Sequence, residues 1–312
     1  GVGGDINLSA GSGLSTGGNI DLVSGAATNT ATGSININSA TTATAGSGLV
    51  NMVTGDSKLN SGSLSISTGD SSTAKAGDIT VSGGSSAANR GSTISLAAGS
   101  SSASTGGDIS LTSGISTKAG SSSGDIDILT SDGTSTVSSG ALLLRTGNAA
   151  NGNTGNINLL SGDSSLGNAG SVSISPGSSA VSGSDMLLSG GSVSTTGTGG
   201  DVIITSGVSS SSSSGAVSIQ TANSGSSGVS GEILLKTGIA AIGTSGSLIL
   251  STGVGTVGNA GKISLSVGSG VAGKGGNVRI SAGTATSGVG GDINLSAGSG
   301  LSTGGNIDLV SG

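Results

Sequence analysis

Histidine, cysteine and all three aromatic residues are missing from this chain of 312 residues, and it holds a single proline. Each absence removes a class of chemistry. Aromatic rings supply much of an ordinary core, so any core here is thin and aliphatic. Without histidine there is no Ser-His-Asp base. Without cysteine there are no disulfides, no thiol chemistry and few structural zinc sites. Charge is scarce as well, at 8% of residues with a net charge of −6. The nine basic residues form no stripe for phosphates, which disfavours nucleic acid as a partner. No apolar run reaches the length of a membrane span.

What the chain does have is glycine, at 65 residues, with abundant serine and threonine. That composition alone suggests a flexible linker. The placement of Ile, Leu and Val argues otherwise, because they fall in pairs two residues apart. The pairs begin with Ile6/Leu8, Ile20/Leu22 and Ile35/Ile37, pass through Ile157/Leu159, and finish with Ile293/Leu295 and Ile307/Leu309. There are 21 such pairs, separated by steps of 14 to 17 residues. With the first apolar residue as position 0, glycine stands at −2 in all repeats but those of Ser92 and Ser184. It stands at +5 in all but those of Ala40, Ser131 and Ala222. A linker has no reason to keep such columns. Apolar side chains at i and i+2 lie on one face of a strand, and nothing recurs at helical spacing, so no helix is expected. Glycine tolerates positive φ and close backbone approach, so the two columns read as the corners at either end of a short strand.

The first 25 residues, Gly1 to Gly25, return without change at Gly288 to Gly312. This implies a higher-order unit of 287 residues, and it marks the whole chain, 1–312, as one continuous repeat array. No terminal cap is recognisable, so both ends are expected to abut further repeats in a longer chain or a neighbouring subunit.

A weaker row of apolar residues stands at +9, including Leu59, Ala88, Ala103, Leu166, Val181, Ile242, Val257 and Ala272. Read as a second short strand facing the first, it completes a small coil. The expectation is therefore an all-β protein, a parallel β-solenoid of 21 repeats of about 15 residues with one repeat per coil. Its core ladder would include Ile6, Leu8, Ile157, Leu159, Ile293 and Leu295. The alternative is a triangular solenoid with three repeats per coil. That is hinted at by the outward apolar residues Leu143, Leu187, Ile203, Leu234 and Ile249, which would also offer a lateral contact for a neighbouring chain.

Several motifs mimic chemistry. Gly253 to Gly258 and Gly268 to Gly273 match the dinucleotide fingerprint, and Gly268 to Lys274 approaches a phosphate loop. All of these need a following helix that the alternating KISLS and NVRIS segments do not offer. Gly120 to Gly124 matches a nucleophile elbow with no histidine to serve it. Asp5, Asp78, Asp108, Asp125, Asp185, Asp201, Glu232 and Asp292 precede the first apolar residue directly, one position later than the aspartate of calcium-binding β-rolls. Asp125 and Asp127 are the one pair placed to share an ion, and solvated surface charge accounts better for the series. No cofactor and no metal site is expected. Asn7 and Asn294 open the glycosylation sequons NLS at equivalent positions of the two copies.

The phrases GGDINLSAG, GGNIDLVSG and GGDVIITSG resemble the Gly/Ser-rich β-solenoid arrays of giant secreted or surface fibre proteins, and similar arrays in virion fibres. That resemblance implies a structural, non-enzymatic role in an extracellular or cell- or virion-surface filament. The partner would be the chain itself, by end-to-end continuation, filament assembly or lateral packing. The competing reading is an ice-binding or adhesive solenoid. For ice binding a flat threonine rank is wanted, but threonine at +4 occurs only at Thr54, Thr68, Thr130, Thr146, Thr221, Thr237 and Thr252.

Overall fold

A computed structural model describes residues 2–134 and 136–311. The chain divides into two compact units, Gly1–Ile157 and Asn158–Gly312. The same local architecture recurs within each.

Every bend and turn among the described residues falls in the stretch between one apolar pair and the next, and the segments from −2 to +5 contain none. The pairs therefore sit at the middle of straight segments, and the glycine columns mark the ends of those segments. In nine of the loops the amide of position −2 donates to the carbonyl of position +5 of the preceding repeat, closing the loop between them. This bond forms in loops of four lengths. Gly18 N donates to Gly11 O at 2.8 Å, Gly33 N to Gly25 O at 3.0 Å, Gly200 N to Gly191 O at 2.9 Å, and Gly124 N to Gly114 O at 2.9 Å. The same closure recurs at Ser92, Gly107, Gly215, Gly291 and Gly305. Loops with closely apposed ends can lengthen with little effect on what flanks them. The 14- to 17-residue steps of the sequence are thus absorbed outside the straight segments.

The β-solenoid is not what forms. Among the described residues there is neither helix nor strand, which overturns both the one-repeat coil and the triangular alternative. Stacked coils would bring each residue against its counterpart one repeat away. Residues twelve or more apart in sequence instead seldom come within 8 Å. Eleven backbone–backbone hydrogen bonds occur among the described residues, where a folded chain makes roughly one per residue. The exposed area, 30482 Å² for 28.3 kDa, lies far above the ~11,000 Å² of a folded monomer of that mass and nearer the ~41,000 Å² of an unfolded chain. The physical reason is compositional. Glycine loses more freedom on ordering than any other residue, and two aliphatic side chains per repeat bury too little to offset it.

The apolar pairs do not form a core, since no described residue is buried. Ile157, Leu159, Ile293 and Leu295 are each between half and two-thirds exposed. Even so, the pairs are covered in an orderly way. Ile20 is 52% exposed, whereas Ile6, with no pair before it, is 88% exposed. Leu295 is 64% exposed, whereas Leu309, with no pair after it, is 89% exposed. The first member of a pair is shielded from the preceding side and the second from the following side.

The +9 row does not face the pairs. Leu59, Leu166, Val181, Ile242 and Val257 lie in the loops, almost fully exposed. What reads as a weak second strand is a set of loop tips.

Candidate functional site

The one structured locus, repeated along the chain, is the junction where a loop closes. It is built by three columns. Position +4 is small in nearly every repeat (Ala, Ser, Thr or Gly, with Pro176 and Val267 as the larger exceptions). Its side chain lies against the −2 glycine of the next repeat. A Cβ placed on Gly18 would stand 3.3 Å from Ala10 Cβ, and one on Gly276 would stand 2.7 Å from Val267 Cγ1. At Gly62 and Gly155 the gap to Thr54 and Thr146 Cγ2 is 3.6 Å, an ordinary contact. Glycine at −2 is thus demanded by close approach at Gly276, favoured at Gly18 and at Gly200, where a Cβ would stand 3.0 Å from Gly191 N, and met by ordinary contacts at junctions such as Gly62 and Gly155.

Positive φ is not the reason for either column. Among the described residues the left-handed glycines are Gly120, Gly197, Gly228, Gly243, Gly273 and Gly288, all inside loops. Gly120, with φ 79, turns the chain so that Ser121 N donates to Lys118 O at 3.1 Å, a type II turn that requires positive φ at its third residue. At +5 nothing lies near the glycines, Gly25 and Gly147 for example, and nothing in the structure explains their recurrence.

At one of the two −2 serines, Ser92, the partner column answers, whereas Ser184 follows Pro176 and makes no closing bond among the described residues. Ser92 follows Gly83 at +4, and its hydroxyl donates to Gly84 O at 3.0 Å, beside its own amide at 3.1 Å. Threonine at +4 fastens two further junctions, Thr130 Oγ1 donating to Gly140 O at 3.2 Å and Thr252 Oγ1 to Gly261 O at 3.3 Å. The threonine rank weighed for ice is therefore part of the loop closure at these positions.

Position +7, which the sequence reading passed over, caps the loop. The hydroxyl oxygens of Thr42, Ser71, Ser86, Ser101, Ser164 and Ser209 accept from the amide three residues on, at 2.9–3.2 Å. Those of Ser57, Ser116 and Ser179 accept from the amide two residues on. Short hydroxyl side chains favour this local turn over regular structure. Serine is so common here that the column is visible only when repeats are aligned on the pairs.

The remaining candidates lie apart. Asn7 and Asn294 are exposed at +1, between their pair members. Leu143, Leu187, Ile203, Leu234 and Ile249 occupy the same +1 column and are exposed. Asp125 and Asp127 gather no third ligand, and no group of three or more acidic side chains suited to a metal occurs among the described residues. Gly253 to Gly258 and Gly268 to Lys274 run through loops with no helix behind them. Lys75 Nζ and Asp78 Oδ2 pair at 2.8 Å on the surface, a contact of the kind worth little in water. The described residues enclose no cavity. No family model, no curated protein and no solved structure matches this chain.

Proposed function

We propose that this chain is a structural protein of an extracellular or cell- or virion-surface fibre, with no enzymatic activity. The observation that carries the reading is a repeat that keeps its apolar pair in all 21 copies, while nine loops spanning 7 to 10 residues close with one and the same bond. A repeated unit that keeps its pattern while its loop length drifts suits a spacer, whose task depends on number and not on one special residue. The hydroxyl-rich surface, the low charge and the equivalent sequons at Asn7 and Asn294 fit a chain built for an aqueous exterior. The absence of histidine and cysteine withholds the commonest acid–base and nucleophilic groups. Immunogold labelling of source cells or particles with an antibody to the repeat tests this. Label along surface fibres is expected. Label confined to the cell interior would overturn the reading.

A further inference from the structure

The straight segments have two unlike faces. Side chains at −2, 0, +2 and +4 share one parity and those at −1, +1 and +3 the other, and exposure alternates to match, Val202 and Ile204 being 49% and 62% exposed and Ile203 between them 78%. Across all 21 repeats the even columns carry only Gly or Ser, then the two apolar residues, then a small or apolar residue. None of the nine basic and fifteen acidic residues falls in them. The charges sit at −1, as in Asp5, Asp108 and Glu232, at +1 and +3, as in Arg279 and Lys236, or in the loops. The sequon residues Asn7 and Asn294, at +1, belong to the odd face too.

The even face is also uncovered. Its apolar residues are shielded only along the chain by neighbouring repeats, and each remains about half exposed or more. We propose that within each unit this charge-free face pairs with the same face of a second copy of the chain. The area is sufficient. Burying a fully exposed aliphatic side chain removes roughly 60–120 Å². At half exposure, the ten pairs from Ile6 to Leu144 leave on the order of 1,000 Å² uncovered on one unit. Pairing two copies of that unit covers on the order of 2,000 Å², where stable interfaces bury about 1,200–2,000 Å² and obligate dimers more. The ten pairs from Val172 to Leu309 offer the same.

Period and charge select the occupant. A second copy presents the same order of 14- to 17-residue steps, so apolar pairs meet apolar pairs along the whole unit. Two chains of net charge −6 repel, and a face free of charge puts that repulsion on the far sides. The pairing goes beyond the fibre reading and does not depend on it, since a free dimer in solution satisfies it equally.

Because the chain has no cysteine, the test is direct. The unaltered full chain is sedimented over a concentration series, and two single-cysteine variants, Ile174→Cys and Ser173→Cys, are oxidised. These adjacent positions lie on the even and odd faces respectively. Twice the chain mass is expected, with covalent dimer forming at least tenfold more from Ile174→Cys than from Ser173→Cys. A single-chain mass at every concentration, or equal or greater cross-linking through Ser173→Cys, would overturn the proposal.

Discussion

Ser92 lies opposite Gly83, and its hydroxyl and amide both donate to the carbonyl of Gly84, at 3.0 and 3.1 Å. A Cβ on Gly83 would run into that hydroxyl. The one junction with a side chain at −2 and glycine at the preceding +4 is thus a size exchange, with the serine adding a second bond to a carbonyl that has two lone pairs.

Gly83→Ala should therefore loosen the loop from Gly84 to Ser92, which contains Arg90. A net hydrogen bond is worth about 1 kcal/mol, or roughly a fivefold change in the open population. Tryptic cleavage after Arg90 should rise by about that factor, since cleavage follows the open form when reclosing is fast. Cleavage after Lys75, in another loop, should not change. The double variant Gly83→Ala with Ser92→Gly should return to the original rate, as expected for coupled neighbours. Additive effects would show that the two residues do not compensate.

Gly190 and Gly200 form the tightest junction. A Cβ on Gly190 would strike the carbonyl of Gly200, and one on Gly200 would stand 3.0 Å from Gly191 N. Gly190→Thr, which introduces the commonest residue of the +4 column, should break the 2.9 Å bond from Gly200 N to Gly191 O. Exchange of the Gly200 amide should then accelerate about fivefold. Gly191→Ala, beside it but in open space, should leave that amide unchanged. Equal acceleration in both variants would show that glycine at +4 is not specifically required.

The apolar pairs and both glycine columns were legible from spacing alone, and they do bound the straight segments. Which of glycine's two properties each column uses was not: at −2 close approach applies and positive φ does not, Gly276 and Gly18 letting Val267 and Ala10 near. The left-handed glycines hid because loop length varies: Gly197, Gly228, Gly243, Gly273 and Gly288 each stand three residues before the next −2 glycine. Counting back from the following pair aligns them, whereas counting forward does not. Leu166 misled for a related reason. Spacing shows that an aliphatic residue recurs, and it cannot show whether anything lies across from it.

The capping column offers a matched pair of variants. Ser209 Oγ accepts from Ser212 N at 2.9 Å and from Ser211 N at 3.4 Å. Ser209→Ala should cost the loop about 0.5–1 kcal/mol, seen as two- to fivefold faster exchange at Ser212. Ser224 occupies the same +7 position but accepts no such bond among those the structure shows. Ser224→Ala should leave exchange at Asn223 to Gly228 unchanged. A similar response from both would assign the Ser209 effect to propensity and not to its cap.

The backbone pattern of the whole chain makes the strongest prediction. Amides held by a closing bond are isolated in sequence: Gly18, Gly33, Ser92, Gly107, Gly124, Gly200, Gly215, Gly291 and Gly305. The amides of the apolar pairs between them donate to no backbone carbonyl among the described residues. Hydrogen exchange resolved by residue should therefore show slowed sites only at closing and capped amides of the loops, separated by fast-exchanging straight segments, with modest protection because each loop opens locally. Pairing through the even face adds side-chain contact without backbone bonds, so the amide pattern should persist in a dimer. A ladder would look different, slowing consecutive alternating amides through segments such as Asn156 to Leu160. Protection of that contiguous kind, in place of slowed amides confined to the loops and their ends, would refute this architecture.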